Sequence, residues 1–342
     1  MLDERKRKIL QAIIDDYVST AEPIGSRTIA RKYDLGISPA TIRNEMADLE
    51  LLGYLEQPHT SAGRIPAAKG YRFYVDSLMS TPAISENDVM LITNWYQTRA
   101  RRIEEVFQET AKIISRMTRN VSLVLAPQFG PAVFKYLQFM PLDNSRVILA
   151  IVTDTGYVEN KVLTIPEGLV FDDLHRIAER INRRLSGQAL EHIRSSVFHD
   201  IRQDFQHDRV VFDTLLEVIR HSIAGDKQER LYLGGTAQLL AQPEYRDVKK
   251  VKDLLSMLEE ERLLCDILHT KESDGVVITI GGENKYSGIQ DCSVVQATYR
   301  IDGQVVGTVA VLGPTRMEYG KITSVLEFMH RHLGDILNRY RL

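Results

Sequence analysis

The 342-residue sequence predicts a multidomain α+β protein: a small helical head closed by a hairpin, a larger mixed sheet body, and a second α+β unit inserted into that body. Three observations predict this. The first sixty-six residues read as helix, short helix, turn, helix and hairpin. Beyond residue 120, strand-like segments fall into two groups separated by a helical stretch from Phe171 to about Ile223. The second group continues a sheet that the strand at Val121–Ala126 begins. A chain of this length accommodates two or three domains.

In the head, Ile9, Leu10, Ile13, Ile14 and Tyr17 recur at helical spacing within Leu2–Thr20, and Pro23 and Gly25 end that pattern. Ser26 opens a short helix through about Tyr33, with Ile29 and Ala30 inward. Gly36 turns the corner into the next helix, where Ser38 is a good N-cap and Pro39 suits the first helical position. Ile42, Met46 and Leu49 form its inward face. The opposite face carries Ala40, Arg43, Asn44 and Ala47, with Thr41 beside them. Small side chains let a helix approach a groove closely, and Arg and Asn can bond guanine and adenine bidentately. Gly53 stops the helix, and Tyr54–Glu56 can pair with Arg64–Pro66 around a tip containing His59, Thr60, Ser61 and Gly63. This order is the winged variant of helix-turn-helix, whose second motif helix enters the DNA major groove. The competing reading is a protein-interaction domain with a solvated basic face. Charge alone does not separate the two, because residues 1–76 hold eleven Lys and Arg against eleven Asp and Glu.

Ser80-Thr81-Pro82 closes the head, and Ser85 starts a long helical stretch to about Arg119, broken near Arg99-Ala100-Arg101. Its second part has Ile103, Val106, Phe107, Ala111, Ile114 and Met117 at helical spacing, and Trp95 is expected to pack where the linker meets the body. The basic run at Arg99, Arg101 and Arg102 reads as a solvated helix face. Strands are expected at Val121–Ala126, Val133–Met140, Arg146–Thr153 and Tyr157–Leu163, the last three an antiparallel meander turned at Asp143-Asn144 and Asp154-Thr155-Gly156. Helices follow, with breaks at Gly187 and His199-Asp200. A strand returns at Arg230–Leu233, then Gly234-Gly235, a short helix and one amphipathic helix around Val251–Leu263. Strands at Val276–Ile280, Cys292–Ile301 and Val305–Leu312, the last two joined by Asp302-Gly303, precede a closing helix from Tyr319 to Tyr340. The helix and strand at about 100–126 and the elements after 230 make one α+β sheet domain whose order resembles a GAF-like sensor fold. The expected partition is a winged-helix head at 1–79, a linker helix at 80–99, a discontinuous GAF-like domain at 100–131 and 226–342, and an insertion at 132–225.

Composition excludes several classes. Hydrophobic residues at 44% and charged residues at 26% are ordinary for a globular protein, and the net charge is −3. Cys265 and Cys292 are the only cysteines and lack C-x-x-C spacing, so they read as packed thiols of a reducing cytoplasm rather than a disulfide or zinc framework. No apolar run approaches the roughly 20 residues of a spanning helix, and the charged start lacks a signal core. The glycine pairs Gly234-Gly235 and Gly281-Gly282 match neither G-x-G-x-x-G nor a Walker pattern. Glu283-Asn284 and Arg316-Glu318, polar pairs near strand ends, allow a ligand pocket, but the preferred reading is a structural hydrogen-bond network. The histidines show no metal-binding spacing, and no nucleophile elbow is present. The sequence therefore argues for no catalysis, no metal and no cofactor.

Several long motifs are unusual. His59 to Met79 (HTSAGRIPAAKGYRFYVDSLM), Ile280 to Asn284 (IGGEN), Asp291 to Tyr299 (DCSVVQATY) and Gly313 to Ile322 (GPTRMEYGKI) resemble the bacterial heat-inducible transcription repressor family HrcA, and the similarity extends over essentially the whole chain. Ala67-Ala68 departs from the more polar pair frequent in that family. The resemblance implies the same partition, with the insertion used for dimerisation. It also implies a repressor of chaperone operons of the groE and dnaK class that binds the inverted-repeat operator CIRCE as a homodimer. Dependence on heat and on the GroEL chaperonin is implied too. In this reading Ala40, Thr41, Arg43 and Asn44 meet bases, while Arg27, Ser38, His59, Arg64 and Lys69 meet phosphates or the adjacent groove. Its partners are double-stranded DNA and a second copy of the chain, with no membrane, and its location is cytoplasmic, on the nucleoid when operator-bound. The alternative is a small-molecule-gated regulator using the GAF-like domain as its sensor.

Overall fold

Asp3 starts the chain's first helix by accepting the Lys6 backbone N–H at 2.8 Å. In the computed structural model, residues 2–59, 62–99, 103–126, 133–143, 145–153, 158–165, 171–188, 230–245, 247–269, 275–301 and 304–340 are described. Helix α1 spans Glu4–Thr20, α2 Ser26–Lys32 and α3 Pro39–Leu51. Ile9, Ile13, Ile14, Ile29, Ile42 and Leu49 are fully buried between them. Gly53 then takes φ 77°, a left-handed turn that a side chain would resist. Strands β1, Leu55–Glu56, and β2, Ile65–Pro66, pair antiparallel, and an isolated bridge from Ile24 to Arg64 adds a third strand position. A further helix, α4 at Ala68–Ser77, follows at once and buries Tyr71. The sequence reading did not separate it from the wing, because no N-capping side chain marks its start at Ala67.

Helices α5, Glu86–Arg99, and α6, Ile103–Thr118, occupy the linker stretch. The Tyr96 hydroxyl meets Thr110 Oγ1 at 2.6 Å, folding one helix against the other, and Trp95 lies under the Arg116 guanidinium, 4.3 Å from its ring centroid. Next come β3, Val121–Leu125, and, after the inserted unit, β7, Leu231–Gly234, with 3-10 turns at Thr236–Ala241 and Pro243–Tyr245. Helices α8, Val248–Glu259, and α9, Glu261–Leu268, replace the single expected helix. Glu260 breaks it with ψ 78°, outside the helical region, so the two halves can turn separate apolar faces onto the sheet. Strands β8, Val276–Ile280, β9, Cys292–Ile301, and β10, Gln304–Pro314, lead to α10, Tyr319–Tyr340.

These strands form a five-stranded sheet in the order β7-β3-β10-β9-β8, every neighbouring pair antiparallel. Alternation gives it two apolar faces. Val124, Val295, Val309 and Val311 belong to the core that includes α6 and α10, while Leu123, Val294, Ala310 and Leu312 belong to the core under α8 and α9. The result is a helix–sheet–helix, GAF-like domain. Asn284 Nδ2 donates to the carbonyls of Gly281, Ile289 and Cys292 at 2.8, 3.1 and 2.8 Å, the structural network expected of it.

The chain divides into two compact units, Met1–Ala126 with Arg230–Tyr340, and Pro127–Glu229 with the last two residues. In the second, β4, Phe134–Pro141, β5, Arg146–Thr153, and β6, Val158–Thr164, make the expected antiparallel meander, order β4-β5-β6. Asp143 anchors its first turn by accepting the backbone N–H groups of Ser145 and Arg146 at 2.9 and 2.8 Å, and the Ser145 N–H together with the Arg146 guanidinium, whose Nε lies 2.7 Å from Oδ2, holds its carboxyl down at about 2. Helix α7, Phe171–Leu185, packs Leu174, Ile177 and Ile181 onto one sheet face through Leu137, Leu149 and Ile151. Thr60, Ser61, Arg101, Arg102, the turns at 154–156 and 302–303, and the helical stretch and breaks expected beyond residue 188 lie outside the described residues.

Candidate nucleic-acid interface

Helix α3 is built to present one face outward. Ser38 Oγ accepts the Thr41 N–H at 3.1 Å and sits 3.0 Å from the Thr41 hydroxyl, so the capping geometry is in place. With Ile42, Met46 and Leu49 buried, helical periodicity leaves Ala40, Arg43 and Asn44 exposed, with Thr41 and Ala47 half-buried beside them.

The electrostatics sharpen that face. Each carboxylate of α3 is drawn onto a base away from it. Glu45 lies 2.7 Å from Lys6 Nζ and 3.5 Å from Arg5, and Asp48 lies 3.2 Å from Lys6. Glu45 and Asp48 in turn hold the Lys6 ammonium above its usual range. Glu50 accepts Arg64 Nε at 2.8 Å and faces Nη2 at 2.7 Å. Among the described residues of α3, the cation on the outward face is Arg43. A negative polymer approaching α3 therefore meets a guanidinium and an amide rather than free acids.

The remaining predicted positions divide. Arg27 on α2 and His59 near the wing tip are exposed. Arg64 has only 19% of its side chain exposed, because its bridge to Ile24 seats it beside the end of α3, within reach of Glu50. Lys69 donates to the Leu52 carbonyl at 2.8 Å and lies 4.5 Å from the Tyr54 ring centroid. It satisfies an orphan carbonyl at the C-terminus of α3, where a cation is also favoured by the helix dipole. Thus the structure groups Ala40, Thr41, Arg43 and Asn44 on one surface and commits Arg64 and Lys69 to contacts inside the head.

Sequence reasoning missed how the head is fastened to the sheet domain. Arg72 of α4 donates through Nε to Glu283 Oε1 at 2.8 Å and through Nη2 to the Ile278 carbonyl at 2.7 Å, with a second bond to Glu283 Oε2. Arg316 binds Glu244 Oε1 through Nε at 2.6 Å, Gln242 at 3.1 Å and the Val18 carbonyl at the end of α1. Both partners lie in the unusual motifs IGGEN and GPTRMEYGKI. Their length was the signal, but only the folded chain brings Glu283 to Arg72 across 211 residues.

A winged helix-turn-helix head joined to a GAF-like body defines a DNA-binding transcription regulator. Two family models match the chain. Residues 1–77 match the winged helix-turn-helix transcription repressor, HrcA DNA-binding model, and residues 104–323 match the HrcA protein C terminal domain. Relatives described as heat-inducible transcription repressor HrcA come from Pelotomaculum thermopropionicum, 44% identical over 99% of this chain and 97% of the relative. Those from Desulfitobacterium hafniense, 43% identical with 98% of each covered, and Moorella thermoacetica, 44% identical with 99% and 98% covered, carry the same description. A solved structure described as a hypothetical protein at 2.2 Å resolution shares the fold, with TM-score 0.65, 22% identity and 99% and 100% coverage. The chain belongs to the HrcA family of heat-inducible transcription repressors. Among the described residues no helix is long and apolar enough to cross a membrane.

Proposed function

We propose that this repressor acts as a homodimer on the CIRCE inverted repeat, each head placing α3 in the major groove of one half-site. The observation that carries this is the outward face of α3: Ala40, Arg43 and Asn44 exposed while every carboxylate of the helix is paired elsewhere. Arg43 and Asn44 then read base edges with Ala40 and Thr41 allowing close approach. Arg27, Ser38 and His59 contact the phosphate backbone or adjacent groove and fix register. Arg64 and Lys69 contribute chiefly by holding the wing and the end of α3 in place, given their contacts within the head.

Dimerisation falls to the inserted unit. Its meander has one face under α7 and an opposite face carrying Tyr136, Met140 and Val162, which are 47, 38 and 55% exposed. Apolar side chains clustered on one sheet face favour a self-complementary contact between two copies. Two linked heads gain the affinity that a single small module lacks against a genome of competing sites. The family resemblance supports chaperone operons as the regulated genes and GroEL as the partner that restores the DNA-competent form after heat. A protein with these partners works in the cytoplasm, on the nucleoid when bound.

The test is binding of the full chain to a labelled CIRCE duplex and to a scrambled duplex across a salt series, with and without GroEL. A specificity ratio of about 10³ or more supports the reading. Equal binding to both duplexes under every condition refutes it.

A further inference from the structure

Two arginines tie the head to the sheet domain at separate places. Arg72 of α4 reaches Glu283 and the Ile278 carbonyl of β8, an edge strand of the five-stranded sheet. Arg316, just past the middle strand β10, joins the Val18 carbonyl of α1 to Glu244 and Gln242, which follow β7, the strand of the opposite edge. Only 10% of the Arg316 side chain is exposed, so salt screens its contacts little.

The rest of the seam sets a pivot but no angle. Tyr71, 2% exposed, packs edge-on against Tyr319 of α10 with ring centroids 6.0 Å apart. Apolar contact of this kind is non-directional. The chain leaves α4 at Ser77 and is pinned almost at once: Ser324 of α10 donates to the Pro82 carbonyl. Gly320 approaches so closely that a Cβ there would stand 2.2 Å from the Ser80 carbonyl oxygen. A head held only in these ways could turn about its point of exit. The forked, charge-assisted bonds of two arginines set apart on the domain are directional and stop that rotation. They draw on α4 and the end of α1, while Ala40, Arg43 and Asn44 of α3 stay exposed, so the tied head remains open to DNA.

We propose that Arg72 and Arg316 are positioning residues for operator recognition: by fixing the angle of the head on the sheet domain, they make the repressor selective for the spacing between half-sites. This rests on the homodimer and inverted-repeat reading above. Changing the spacer by two base pairs moves one half-site by roughly 7 Å and turns it by roughly 70° about the duplex axis. A tied head cannot follow that change, and simultaneous engagement of both half-sites is lost; a head free to pivot recovers part of it.

The experiment measures binding of the full chain, by fluorescence anisotropy, to the CIRCE inverted repeat, to versions with the spacer two base pairs longer or shorter, and to a single half-site duplex. The wild type is expected to prefer the native spacing by about tenfold or more. In Arg72→Ala with Arg316→Ala that preference should fall to about threefold or less, with half-site affinity kept within about twofold. Arg316→Ala strips Glu244 of its partner and can fold poorly. Arg72→Ala alone, at a side chain 31% exposed, then carries the test, and its preference should fall by about threefold. Half-site binding reports a folded head in each case. An unchanged spacing preference in the variants, or equal losses on all duplexes including the half-site, overturns the proposal. A wild type that binds the inverted repeat yet ignores its spacing overturns it too, and leaves the homodimer reading standing. A wild type that binds the inverted repeat no better than the half-site removes that reading and the proposal with it.

Discussion

Gly63 sits where the wing returns to the head, and a single methyl there should unseat it. A Cβ at Gly63 would stand 2.4 Å from both the carbonyl carbon and the oxygen of Ile24, and 2.6 Å from its nitrogen. These are backbone atoms and cannot swing aside as a side chain would. Relief requires the two segments to part by about 1 Å, more than hydrogen bonds tolerate. The bonds at stake are Ile24 N–H to the Arg64 carbonyl at 3.0 Å and Arg64 N–H to the Ile24 carbonyl at 2.9 Å. Two such bonds contribute about 0.5–1.5 kcal/mol each. Disturbing the seat of Ile24, only 3% exposed, brings the cost of Gly63→Ala to roughly 2–4 kcal/mol. For a unit of this size that is a fall in melting temperature of about 5–15 °C. Gly288→Ala, where nothing lies within 4 Å of the added carbon, serves as the bystander. Thermal unfolding by circular dichroism measures both, and duplex binding reads the wing directly. Operator and scrambled DNA should lose affinity together, since a displaced wing removes backbone contacts. A melting temperature for Gly63→Ala within about 1 °C of the wild type would refute the close-approach argument.

Three further outcomes follow from the same geometry. Asn44→Ala should cost about 1–3 kcal/mol of discrimination between cognate and scrambled duplexes, and equal losses on the two would sink base reading by Asn44. The Glu283 carboxyl is pushed up by burial, but hydrogen bonds from Arg72 and Ile280 outweigh this and leave it below the usual 4.5. A folded-state pKa below the unfolded value means that this contact stabilises fully above pH 4.5 and is lost as pH falls through the folded value. The wild type should therefore lose stability on acidification more steeply than Glu283→Gln, and matching slopes in pH-dependent denaturation would show the contact to be inert. Finally, Tyr136→Lys with Val162→Lys places charge on the outward face of the meander. Sedimentation should report a monomer with weakened operator binding, whereas an unchanged dimer would move the interface elsewhere.

Most secondary structure was legible because it rests on local periodicity. Ser38 and Pro39 announce the start of α3, Ile42, Met46 and Leu49 declare its buried side, and the strands at Arg146–Thr153 and Val276–Ile280 fall where their apolar runs place them. The outward exposure of Arg43 and Asn44 follows from the same 3.6-residue repeat. Where the local signal is weak, the reading failed. Helix α4 begins without a capping side chain, and the break at Glu260 has neither Gly nor Pro to mark it.

By itself, the sequence determined the order of elements, the family and the face that α3 offers, because each depends on residues within a few positions of one another. Only the tertiary structure decided which charges remain free. Arg64 and Arg43 look alike in the sequence, yet the Ile24 bridge delivers Arg64 to Glu50 and leaves Arg43 exposed. Likewise Arg72 finds Glu283, and Arg316 finds Glu244. Such outcomes turn on which distant segments the two packed faces of the sheet bring into contact, and no local pattern encodes that choice.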